Sequence, residues 1–316
     1  KMAVNKRLMS DRPIGCFLSG GLDSSLITAL VASHFKENTL KTFAIGLENS
    51  PDLLNARTVA DYLKTEHHEV VVTEKEMLEA IPHVINSIES YDTTTVRAST
   101  PMYLLSKYVK EKTDVTVIYS GEGSDEASGS YLYFHNAPND DEFTQEAKRL
   151  VQDLHRYDVL RCDKSTAAHS LEVRVPFLDK EFMRFYMSIS GCHKKVRKMI
   201  DGKNMEKYLL RKAFEGYLPE SILWRTKEAF SDGVSKENRS WHDIINEKLY
   251  NEGIGKTLKK DYTFNPPMKP DQCYFRHLFE KSYPNRAELI PYYWLPKWSG
   301  NDNESSARIL NVYKSS

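Results

Sequence analysis

Pro13-Ile14-Gly15-Cys16-Phe17-Leu18, running into Ser19-Gly20-Gly21-Leu22-Asp23-Ser24-Ser25, is the stretch from which the fold is read. The first six residues are a short apolar run of the kind that forms a buried strand, and Leu22, Leu26, Ile27, Leu30 and Val31 then share one face of a helix over 22–35. A glycine-rich turn between strand and helix lies at the carboxyl edge of a parallel sheet. There a helix presents unsatisfied N–H groups and the positive end of its dipole. Gly20 and Gly21 let backbone approach an anion without Cβ interference, and Ser19, Ser24 and Ser25 add hydroxyl donors. A carboxylate in such a place suits an anion only through a divalent cation, so Asp23 predicts Mg²⁺. A plain tight turn with serine and aspartate capping the helix is the alternative; the position after the first strand favours phosphate.

Working outward, Lys41–Leu47 and His68–Val72 read as further strands, with helices over Asp52–Leu63 and 74–88. Another helix is expected near Met102–Lys110, before the strand Val115–Tyr119. Strands alternating with helices predict a doubly wound, mainly parallel α/β sheet. After about Gly129 strand patterns stop, and Phe143, Ala147, Leu150, Val151, Leu154 and Tyr157 recur at helical spacing. The expected division is an α/β core over residues 1–135 and a mostly helical part over 136–316 that completes the same catalytic unit. From Gly253 onward prolines, Pro270 among them, read as breakers of a loop-rich region, and the residues after Gly300 are polar. Gly255-Lys256-Thr257 lacks the earlier glycine of a Walker A loop, since position 250 is Tyr250, and reads as a surface loop.

The chain has 316 residues, with 44 Lys+Arg balanced by 44 Asp+Glu. That balance argues against a protein that binds nucleic acid by neutralising many phosphates. No apolar run approaches the roughly 20 residues that span a bilayer, so no membrane role is expected. Cys16, Cys162, Cys192 and Cys273 are far apart in sequence and read as reduced thiols, which makes the cytoplasm the expected location.

A second cluster, Ser120-Gly121-Glu122-Gly123-Ser124-Asp125-Glu126, follows the strand ending at Tyr119 and should open on the same sheet edge as Asp23. Glu122 is a candidate general base and Asp125 a candidate second metal ligand. The cluster read by itself could equally be a solvated acidic turn.

The first loop matches the SGGxDS pyrophosphate loop of ATP pyrophosphatases. Together with Phe43–Leu47, Ser50-Pro51-Asp52, Tyr91-Asp92 to Arg97, Ser120–Glu126, Arg174-Val175-Pro176-Phe177-Leu178-Asp179, Trp224–Asp232 and Tyr293–Trp298, it closely resembles the synthetase domain of glutamine-dependent asparagine synthetases of eukaryotic type. The resemblance implies an adenine nucleotide α-hydrolase-like fold and an ATP-dependent ligase. In that reaction aspartate is adenylated on its side-chain carboxylate with release of pyrophosphate, and ammonia then displaces AMP to give asparagine. It further implies that Ser19, Gly20, Gly21, Asp23, Ser24 and Ser25 hold pyrophosphate, with Asp23 and Asp125 on Mg²⁺. Leu18 and Ile45 would contact adenine and ribose, and Ser120 and Gly121 would line the AMP pocket. Glu122 would take a proton from the attacking ammonia or position the intermediate, and Lys227 would neutralise the α-phosphate. Thr94, Thr95 and Arg97 match a family segment near the aspartyl and ammonia side, or are ordinary cap and ion-pair residues. Arg174 orients a carboxylate or pairs with Glu172 or Asp179. His67, His68 and His169 read as structural.

Full-length members of that family begin with a glutaminase domain whose first residue is cysteine. Nothing here matches it, and Lys1 with Met2, Leu8 and Met9 reads as the tail of an amphipathic helix that something preceded. The expectation is a chain that uses free ammonia, with glutamine-derived ammonia requiring a glutaminase domain in cis. A homodimer or, without that domain, a monomer is compatible with the resemblance. Two other readings stay open: a β-lactam synthetase-like or other adenylating ligase, and a non-catalytic relative. The second should lack Asp23, Glu122, Asp125 or Lys227, all of which are present.

Overall fold

The computed structural model describes residues 1–199, 204–236, 239–254 and 262–299. Strands Ile14–Phe17 (β1), Lys41–Gly46 (β2), Glu66–Val71 (β3), Val117–Tyr119 (β4) and Glu172–Arg174 (β5) form a five-stranded sheet in the order β3-β2-β1-β4-β5, every neighbour parallel. Helices Met2–Asn5 (α1), Leu22–Ala32 (α2), Pro51–Leu63 (α3), Glu74–Ile88 (α4), Thr93–Lys112 (α5), Ser124–Ser128 (α6), Asp140–Asp153 (α7) and Asp158–Ala167 (α8) follow in chain order among the strands.

Alternation along the strands sends neighbouring side chains to opposite layers. Cys16 and Ala44 pack with Leu26, Leu30 and Val59 of α2 and α3. Phe17, Phe43 and Ile45 pack instead with Ile81, Ile85, Leu105 and Val109 of α4 and α5. Both faces of the sheet are thus covered, which is why its central strands read as unbroken apolar runs. The doubly wound sheet expected from the sequence is the one observed. Among the described residues no helix is long and apolar enough to cross a membrane, and all four cysteines are free thiols.

Three local expectations are corrected. Strands do not stop at Gly129: β5 pairs with β4, Val117 opposite Glu172 and Tyr119 opposite Arg174. It is a three-residue edge strand with two charged members, so it carries no apolar run to read. The fifth helix begins at Thr93 rather than near Met102, because the Asp92 carboxylate caps it, accepting from Thr95 N–H and Thr95 Oγ1–H at 2.8 Å each. Pro101 sits inside this helix, and Thr94, Thr95 and Arg97 open the helix. Pro270, read as a breaker, starts the helix Pro270–Ser282, where its missing N–H would have no helical partner in any case. Gly255-Lys256-Thr257 and the residues after Gly300 lie outside the described residues.

The helical spacing after Gly129 resolves into α7, which buries Phe143, Ala147 and Leu150. Arg174 is used structurally: its Nε donates to Glu172 Oε1 at 2.6 Å and its Nη1 donates to the carbonyls of Arg7 and Met9. Asp179 pairs with Arg7, at 3.0 Å, and not with Arg174.

Candidate active site

Strand order reverses between β1 and β4, which lie side by side with Gly15 opposite Ile118 and Cys16 opposite Tyr119. In an open parallel sheet such a switch point leaves a crevice beyond the strand ends. The loops Ser19–Ser25 and Ser120–Glu126 both leave the sheet there. They touch: a Cβ on Gly121 would lie 2.7 Å from Ser24 N and 2.8 Å from the Asp23 carbonyl carbon. Gly20 adopts φ +70°, and a Cβ there would stand 2.4 Å from the Asn55 backbone of α3. These two glycines seat the first loop between α3 and the second loop, a fit no side chain permits.

Within the first loop, Ser19 N–H donates to Ser24 Oγ at 3.2 Å, Ser24 Oγ donates to the Gly21 carbonyl at 3.2 Å, and Gly21 N–H donates to Ser19 Oγ at 3.3 Å. The loop is therefore held in shape by its own serines. Gly21 caps α2 without a side-chain hydrogen bond, so the first turn of that helix keeps N–H groups and a positive dipole end for a ligand.

One cleft gathers Leu18, Ser19, Gly21, Asp23, Ser24, Ile45, Thr94, Ser120, Gly121, Glu122, Asp125 and Lys227. Gly20, Ser25, Thr95 and Arg97 are not in its lining. Gly20 shapes the loop from behind, and the buried Ser25 hydroxyl has no hydrogen-bond partner among the described residues. Thr95 is engaged with Asp92. Arg97, 2% exposed, has Nη1 2.7 Å from His242 Nδ1, so it lies behind the wall that Thr94 lines.

The centre of the cleft is a cluster of two carboxylates and two ammoniums. Lys207 Nζ donates to Asp23 Oδ2 at 2.5 Å and to Asp125 Oδ1 at 2.6 Å, Lys227 Nζ donates to Asp125 Oδ2 at 2.7 Å, and Ser124 Oγ donates to Asp23 Oδ1 at 2.7 Å. Burial alone would push the Asp125 pKa up, but the adjacent Lys207 and Lys227 outweigh it and hold the carboxyl well below its usual range. Burial likewise works against the Lys227 charge, and Asp125 and Asp23 overcome it to raise that pKa. Beside this cluster, Glu122 Oε2 accepts from Arg161 Nη2 at 2.7 Å, and the same nitrogen reaches Asp158 Oδ1 at 3.2 Å. Burial pushes the Glu122 pKa up against the pull of Arg161.

The donor set fits Mg²⁺. Asp23 and Asp125 converge on one point, now held by an ammonium, and present hard oxygens to it. Among the described residues no group of three or more His, Cys, Asp or Glu side chains is disposed to hold a metal. Two carboxylates with the remaining positions left to water and phosphate oxygen is the arrangement this ion favours.

The segment Trp224–Asp232 covers the cleft: Arg225 through Ser231 line it, and Arg225 Nη1 reaches the Gly20 carbonyl at 3.4 Å. Arg225 also pairs with Glu228 at 2.8 Å. Lys207, Arg161 and Asp158 line the cleft without a sequence signal that marks them, and Arg225 lies in the Trp224–Asp232 segment with no role of its own read from it. A lone charged residue near a helix has the pattern of a solvated surface group, and only the fold brings these four to the strand ends.

Fold and cleft together define an α/β protein of the adenine nucleotide α-hydrolase-like class, with its charged site at the switch point of the sheet. The chain matches the asparagine synthase family over residues 1–149 and 136–287. It is 49% identical over 322 aligned residues to the chicken (Gallus gallus) protein named asparagine synthetase [glutamine-hydrolyzing]. The mouse (Mus musculus) and human (Homo sapiens) proteins of the same name are each 48% identical. In each case the alignment covers 99% of this chain and 56% of the relative. The chain belongs to the asparagine synthase family, and it spans about half the length of the curated relatives it matches.

Proposed function

We propose that this chain is an ATP-dependent ligase that makes asparagine. ATP binds at the switch point, its phosphates on the Ser19–Ser25 loop and its adenosine against Leu18, Ile45, Ser120 and Gly121. The aspartate side-chain carboxylate attacks the α-phosphorus and pyrophosphate leaves; ammonia then attacks the resulting β-aspartyl-AMP and AMP departs. Activation is needed because a free carboxylate is a poor acyl donor. The observation that carries this reading is the juxtaposition of two glycine-serine loops with Asp23, Asp125, Lys207 and Lys227 at their contact.

Lys227 sits where a cation would offset charge developing on the phosphoryl group, and in a cleft sheltered from water such a cation acts more strongly than in bulk solvent. Mg²⁺, held by Asp23 and Asp125, would supply further neutralisation of phosphate charge when bound. Glu122, with its pKa raised by burial and its carboxylate fixed by Arg161, is placed to take a proton from the attacking ammonia. Thr94 offers a hydroxyl at the cleft wall on the aspartyl side, while Thr95 and Arg97 support that wall from behind. The match to vertebrate asparagine synthetases along the whole chain favours aspartate over the acceptor of a β-lactam synthetase.

With this chain as the sole protein, ammonia is the nitrogen donor; glutamine serves only where a glutaminase domain is joined to it. Incubation with ATP, Mg²⁺ and aspartate should give asparagine, AMP and pyrophosphate in equal amounts when ammonium is added, and no asparagine when glutamine replaces it. Asparagine and glutamate formed together from glutamine would contradict the ammonia assignment. ADP in place of AMP would contradict the mechanism.

A further inference from the structure

Lys207 has an unusual place in the cleft. Its side chain is 1% exposed, and its ammonium bridges Asp23 and Asp125, the two carboxylates best suited to a metal. The backbone beneath it is fixed. Lys207 holds φ +55°, a left-handed conformation that a side chain adopts at a cost, and its carbonyl accepts the Arg211 N–H at 3.0 Å to begin the helix Tyr208–Ala213. Buried Arg211 in turn donates Nε to the Glu206 carbonyl at 2.8 Å and Nη1 to the Leu223 carbonyl at 2.5 Å. Lys207 is thus pinned from both sides with its ammonium aimed at the carboxylate pair.

The charges in this cluster cancel: Asp23 and Asp125 against Lys207 and Lys227. A divalent cation arriving without its own anions would have to share both carboxylates with two ammoniums that repel it, and salt screens little in a buried site. A cation arriving on a triphosphate brings the anionic oxygens that can accept the displaced ammonium's hydrogen bonds. We propose that Lys207 is a built-in cation that closes the Asp23–Asp125 pair to free Mg²⁺ and makes metal entry conditional on nucleotide, whose phosphates take over the ammonium. This rests on the reading of the cleft as an Mg²⁺–nucleotide site.

Mn²⁺ serves as the probe, its free concentration followed by electron paramagnetic resonance without nucleotide, while equilibrium dialysis follows labelled ATP with and without Mn²⁺ and with no aspartate present. The unmodified chain should retain ATP strongly only with Mn²⁺ and bind Mn²⁺ alone weakly. Lys207→Met and Lys207→Gln should each bind Mn²⁺ alone on the order of tenfold more tightly or better. Lys207→Arg should stay weak, and adding Asp23→Asn to Lys207→Met should abolish the gain. Tight binding of Mn²⁺ alone by the unmodified chain overturns the proposal whatever the variants do. So does an unchanged Mn²⁺ affinity in both neutral variants, provided each melts cooperatively, and in that case metal-dependent ATP retention leaves the nucleotide site standing. Failure of the unmodified chain to retain ATP with Mn²⁺ overturns the nucleotide-site reading and this proposal with it.

Discussion

Glu122 illustrates how a single side chain is tuned by its neighbours. Its carboxylate is largely withdrawn from water, which raises its pKa, and it is paired with Arg161, which favours the charged form. Burial wins, so the group titrates above the ordinary glutamate value of about 4.3. If Glu122 takes the proton from ammonia, the rate at a fixed concentration of free ammonia falls as pH drops through that raised pKa, because the protonated acid can no longer accept. We expect Glu122→Gln to lower the asparagine-forming rate by about 100-fold and to remove this acid limb, while ATP consumption with aspartate changes less. An acid limb unchanged in the variant would show that another group titrates. Asp23 and Asp125 were legible in the sequence because a carboxylate in a glycine-serine loop is chemically odd. Lys207 and Arg161 were not, since nothing within a few residues of either sets it apart, and their partners lie up to 184 positions away.

At the scale of elements, β1, the first loop and α2 were readable because a strand buried on both faces gives an unbroken apolar run, and a helix on a sheet shows one apolar stripe. β5 was not, being an edge strand of three residues with Glu172 exposed. The start of α5 was hidden because Pro101 has the look of a boundary while the real signal, the Asp92 cap, lies nine positions earlier. Asp179, at the end of the Arg174–Asp179 segment, serves architecture. Its Oδ1 caps the helix Lys180–Ser188, accepting from Glu181 N–H at 3.1 Å and Phe182 N–H at 3.3 Å. The Arg7 hydrogen bond, aided by these backbone N–H groups, holds its pKa down to about 2. A depressed carboxylate pKa stabilises the fold above the unfolded value of about 3.9 and loses that contribution as pH falls toward the folded one. Asp179→Ala should therefore cost about 1 kcal/mol at neutral pH. In urea denaturation the gap between variant and parent should narrow between about pH 4 and pH 3. A gap constant across that range would place the stabilisation elsewhere.

For the whole molecule, the doubly wound sheet explains why residues from distant segments meet. The order β3-β2-β1-β4-β5 puts the carboxyl ends of β1 and β4 together, and Trp224–Asp232 returns over them to bring Lys227 within 2.7 Å of Asp125. We expect this cleft to join aspartate to ATP before any nitrogen arrives. Isotope exchange between ATP and labelled pyrophosphate tests it most directly, because exchange needs reversible adenylation and no ammonia. Exchange should require both aspartate and Mg²⁺, proceed without ammonium or glutamine, and drop about 100-fold in Lys227→Met. No exchange with aspartate present, or exchange that is indifferent to aspartate, would contradict it.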